Sequence, residues 1–65
     1  MLLNDLYAEI KSLEFQIEDD EKNFDVALLN PNQLGYARQL YRDIKILERR
    51  LADLRILVNK NSGQE

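Results

Sequence analysis

The sequence predicts an all-α protein: an antiparallel, coiled-coil-like helical hairpin that pairs with a second copy into a homodimeric four-helix bundle. Three observations carry this. Apolar residues recur three and four apart through two long stretches, as the core positions of a heptad do. A single proline, Pro31, divides the stretches. Finally, the 65 residues include neither Cys nor His. A chain this short buries only about 60% of its unfolded surface, and this one has no disulfide, thiolate or imidazole to add a staple, so self-association or docking onto a partner is the expected source of extra stability.

The first helix is expected over residues 2–28. Its seam reads Leu3, Leu6, Ile10, Leu13, Ile17, Asp20, Phe24 and Ala27, set in a background of helix formers. No period-two alternation persists, so strands are not expected. Asp20 interrupts the seam. It is read first as a solvated position near the frayed hairpin end and second as a polar residue that fixes register at a cost in stability.

The stretch LLNPNQLG carries the turn. Pro31 suits the first helical position, Asn30 before it suits the N-cap, and Gln33 falls where a side chain can reach back to the Asn30 N–H in a capping box. The first helix should therefore end near Leu28 or Leu29, with a turn at residues 29–30. The second helix is expected over residues 31–59. Its seam is Ala37, Leu40, Ile44, Leu47, Leu51, Leu54 and Val58. Gly35 costs about 1 kcal/mol relative to Ala inside a helix, which suggests close packing at the connection. Residues 60–65 should fray.

So short a connection makes the helices antiparallel. Folding at the turn sets Ala27 against Ala37, Phe24 against Leu40, Asp20 against Ile44, Ile17 against Leu47, Leu13 against Leu51 and Leu6 against Val58. Glu14 should approach Arg50, and Glu9 should approach Arg55, each pair contributing about 0.2–1 kcal/mol. Residues 1–29 carry net charge −6 and residues 30–65 net +3, an asymmetry that predicts pairing between the two halves.

Composition excludes several functions. Without Cys or His, Ser12 and Ser62 have no partner for nucleophilic catalysis. The densest acidic run, EDDEKNFD, fails as a calcium loop: counted from Asp19, the position for the glycine is Phe24 and the closing position is Asn30. Glu18 and Glu21 make an E-x-x-E spacing with no second acidic helix motif facing it. The expectation is no enzyme, no cofactor and no metal. No segment has the form of a signal peptide or a membrane span, and a net charge of −3 disfavours a membrane surface. A cytoplasmic location is expected.

What remains is a binding surface. Several large apolar residues fall off the seam, among them Phe15 and Ile56 at heptad position f, Ile46 at c, and Tyr41. Arg38, Arg42, Lys45 and Arg49, spaced four, three and four apart, form a basic stripe about 16 Å long pointing away from the seam. The stripe reads first as a wet or dimer-pairing face, next as a contact for an acidic protein, and last as a row matched to phosphates. The protein should therefore be a small non-enzymatic regulator, adaptor or inhibitor that docks on another protein through Phe15, Tyr41, Ile46, Ile56, Arg38, Arg42, Lys45 and Arg49. The alternatives are a dimeric nucleic-acid-binding regulator that uses the basic stripe, and a structural assembly protein. In size and topology alone, the predicted hairpin resembles the dimeric helical-hairpin RNA regulators of plasmids, of the Rop kind. No motif carries that likeness, so it assigns no family. Cofactor-free chains of this size are common in phage and plasmid systems.

Overall fold

A computed structural model describes residues 3–62, in the order α1 (Leu3–Leu28), a short 3-10 turn (Pro31–Gln33) and α2 (Leu34–Ser62). There is no strand among the described residues. The two helices pack along their lengths into a hairpin rod whose Cα atoms extend over 52 × 14 × 14 Å. The expected positions Leu2 and Gly63–Glu65 lie outside the described residues.

The heptad pattern accounts for the core. All fifteen seam positions are buried or half-buried; among the other described residues only Glu9 and Asp43 reach even half-burial. The larger cluster joins Leu6, Leu13 and Ile17 to Ile44, Leu51, Leu54 and Val58. Leu3, Ile10 and Leu47 pack against its edges. A smaller cluster at the closed end joins Ala27 to Ala37 and Leu40, and Phe24 bridges the two. The division falls at Asp20. It is half-buried, and it lines one shallow depression with Gln16, Asp43, Ile46 and Leu47. Asp20 thus sits in the middle of the rod beside a second carboxylate, far from any frayed end.

The turn is built from short-range bonds. The Leu29 N–H donates to the Val26 carbonyl at 3.1 Å, and the Asn30 N–H to the Ala27 carbonyl at 3.1 Å. These i→i−3 bonds satisfy carbonyls that the last turn of α1 would otherwise leave open. Asn30 is extended (φ −118°, ψ 109°), and its Oδ1 accepts from the Asn32 N–H at 3.1 Å, as an N-cap does. Two expectations change here. The Gln33 capping box does not form, because the Asn30 N–H already donates to Ala27. The α-helical ladder of α2 begins at Leu34 rather than at Pro31, and it runs on to Ser62 rather than ending near Asn59. No described residue has a positive φ, so the chain reverses without needing glycine. A Cβ placed on Gly35 would meet nothing within 4 Å, so close packing does not explain that glycine.

The flanks of the seam correct the ion-pair register. Arg50 reaches Glu9, with Nη2 at 2.8 Å and Nε at 3.2 Å from Oε1. Neither Glu14–Arg50 nor Glu9–Arg55 is formed among the described residues. Glu9 and Arg50 both hold position g, and in antiparallel helices g positions share one flank and e positions the other. The expected pairs each matched an e with a g, across the seam from one another. Among the described residues the pairing expected from the uneven charge of the two halves is thus confined to one interhelix ion pair; the other two, Glu18–Lys22 and Lys45–Glu48, are local to one helix.

Candidate interaction surface at the closed end

The apolar residues that the seam leaves outside are not spread evenly. Of eleven exposed large apolar residues among the described ones, six lie between Val26 and Tyr41, around the turn. They are Val26, Leu28, Leu29, Leu34, Tyr36 and Tyr41. A lone hairpin has only one stripe per helix to bury, so side chains crowded around a turn have no core to enter.

Part of this cluster lines a depression of about 360 Å³, formed by Phe24, Ala37, Leu28, Leu34 and Tyr41. Its remaining lining is Arg38 and Arg42. Phe24 and Tyr41 hold their rings 6.2 Å apart at 42°, a tilted aromatic contact. The Lys45 ammonium stands 5.3 Å from the centre of the Tyr41 ring, within cation–π reach. Heptad positions explain the gathering. Leu28, Leu34 and Tyr41 are all e positions, so they share the flank opposite Glu9 and Arg50, and the basic stripe borders it from positions b and f.

The structure therefore brings Tyr41, Arg38, Arg42 and Lys45 together and separates the other expected site residues. Phe15 is 73% exposed and lies in a different depression, with Lys11, Glu14 and Glu18. Ile46 borders the Asp20–Asp43 depression. Ile56 is half exposed and lines none of the three. Phe15 and Ile56 both occupy f positions, one on each helix, so they point away from each other across the rod. Arg49 is exposed, one turn beyond Lys45. Among the described residues Arg38, Arg42 and Arg49 have no ion-pair partner, and Lys45 pairs only with Glu48, at 3.4 Å.

Sequence reasoning missed Leu28 and Phe24 as surface residues. Leu28 read as the end of a helix and Phe24 as seam. The available signal was the run VALLNP, three large apolar residues within four positions beside a turn, where the heptad has core room for Ala27 alone. No group of three Asp or Glu side chains converges to hold a metal among the described residues, and no helix is long and apolar enough to cross a membrane. Compared with known proteins, the chain matches no family model, no curated protein and no solved structure.

Proposed function

We propose that this protein is a small non-enzymatic binding module, acting as a regulator, adaptor or inhibitor through protein–protein contact at the closed-end flank. One observation carries the reading: an apolar depression with an aromatic wall lies directly against cations that the hairpin leaves unpaired. An apolar hollow takes an anchoring side chain, and surrounding charge selects the partner and its orientation. The chemistry that fits is an apolar side chain presented among carboxylates. Phosphates also fit unpaired arginines, but they have no use for the leucine walls, and a chain of net charge −3 starts poorly as a polyanion ligand.

The test is affinity capture from nuclease-treated extract with the wild-type chain and with a Leu34→Ala, Tyr41→Ala double variant. The expected result is a protein held by the wild type and released by the variant. Capture that ignores the variant, or retained material that is nucleic acid and dissociates steeply with salt, would sink the proposal and favour the nucleic-acid alternative.

A further inference from the structure

The basic stripe has a counterpart that the hairpin does not use. Along α1, Glu14, Glu18, Glu21 and Asp25 are spaced four, three and four apart, the spacing of Arg38, Arg42, Lys45 and Arg49 on α2. The seam sets the levels to within about one residue: Ala27 packs with Ala37 at the closed end, and Asp20 and Asp43 line one depression further along the rod. Each step forward along α1 is a step back along α2. Glu14 is therefore level with Arg49, Glu18 with Lys45, Glu21 with Arg42 and Asp25 with Arg38. The acids hold positions e and b, and the bases b and f, so both rows border the same flank, on opposite edges. None of the four level pairs forms, and the interhelix pair that does form, Glu9–Arg50, lies on the other flank.

We infer that this flank is covered by a second copy of the chain, related by a two-fold axis along the rod, with both turns at the same end. The inference rests on reading the flank as a protein-docking surface and makes a second copy its occupant, so any other protein binds there only in competition with the dimer. A rotation about the long axis leaves every level unchanged and lays α1 of each copy over α2 of the other. Every acid of the row then faces a base at its own level, and symmetry makes each contact twice, as an isologous interface requires. The same rotation closes the two copies of the Leu28, Leu34 and Tyr41 hollow over each other. The hollow supplies the apolar contact, while exposed charge pairs mainly set orientation. Glu48 is the exception on the basic edge, and Lys45 neutralises it from 3.4 Å away. The opposite arrangement, with turns at opposite ends, stacks α1 on α1 and sets acid row against acid row.

Sedimentation equilibrium on three charge variants tests this, with far-UV circular dichroism to confirm helix. Glu18→Lys with Glu21→Lys sets like charges at the two central levels of the rows, cation against cation, and Arg42→Glu with Lys45→Glu sets acid against acid there. Each should raise the dimer Kd on the order of tenfold to a hundredfold. Combining all four changes restores complementarity and should recover the dimer. The chain has no native Cys, so a Leu34→Cys variant reports topology: a short bis-maleimide should link the copies, whereas opposed turns would hold the two sites tens of ångströms apart on a rod 52 Å long. A dimer indifferent to the charge variants, or one that the reagent does not link, overturns the inference. A monomeric wild type that still captures protein through Leu34 and Tyr41 also overturns it, while leaving the binding reading in place.

Discussion

Arg50 clamps Glu9 across the hairpin with two donors on one carboxylate oxygen, Nη2 at 2.8 Å and Nε at 3.2 Å. The contact ties the middle of α2 to the first turns of α1 along the g flank. Both side chains remain partly exposed, 55% for Arg50 and 35% for Glu9, so water and salt screen the pair. A double-mutant cycle with Glu9→Gln and Arg50→Met, read by urea denaturation, should give a coupling of about 0.5 kcal/mol that shrinks as salt is raised. A cycle on Glu14 and Arg50 should give none. Coupling in the second cycle instead of the first would mean that the flanks are assigned wrongly.

Asp20 divides the core. It is half-buried beside Asp43, between the two apolar clusters. Replacing it with Leu removes one of two neighbouring carboxylates and lets the clusters merge through the seam. Asp20→Leu should stabilise the hairpin by roughly 1–2 kcal/mol, on the scale of burying part of a leucine side chain. Thermal unfolding at fixed protein concentration reads this directly, since any self-association makes the melting temperature concentration-dependent. A lower melting temperature would show that Asp20 contributes structure that the packing does not reveal.

Leu6 and Leu54 are the most fully enclosed large side chains, 1% and 2% exposed. Either one changed to Ala should cost about 2–5 kcal/mol through lost burial and the cavity left behind. For so small a core, that is enough to abolish most of the helical circular dichroism. Phe15→Ala is the control. With its ring 73% exposed, the loss should stay within about 0.5 kcal/mol despite the larger side chain removed. Equal effects at Leu54 and Phe15 would contradict the packing described.

The turn offers two changes of opposite sign. Gly35 lies in α2, without a positive φ and with open space where a Cβ would go. Gly35→Ala should stabilise by about 0.5–1 kcal/mol, because the unfolded chain loses freedom while the helix loses nothing. Asn30→Ala removes the acceptor of the Asn32 N–H and should destabilise by about 1 kcal/mol. Chemical denaturation of both variants checks the signs; destabilisation by Gly35→Ala would reveal a close approach in the folded protein that open space at that site does not predict.

The helical hairpin was legible because its signals are local. A three-and-four spacing needs only the 3.6-residue turn of the helix to put Leu6, Leu13 and Ile17 on one side, and a proline after an N-cap residue ends one helix and starts another whatever surrounds it. The fifteen seam residues could therefore be named before any coordinates. The binding surface was legible only in part. Phe15, Tyr41, Ile46 and Ile56 were equally conspicuous as apolar residues off the seam, yet they fall in different places on the rod.

Sequence by itself determined which residues face inward and where the chain reverses, because both depend on periodicity and backbone chemistry within a few residues. Tertiary structure decided which side of the seam each flanking residue occupies. It gave Arg50 to Glu9 rather than to Glu14, and gathered Tyr41 with Leu28, Leu34 and Arg38 while leaving Phe15 apart. The reason is geometric. Running one helix against another in the opposite sense maps g onto g and e onto e, and that mapping exists only once two helices lie side by side.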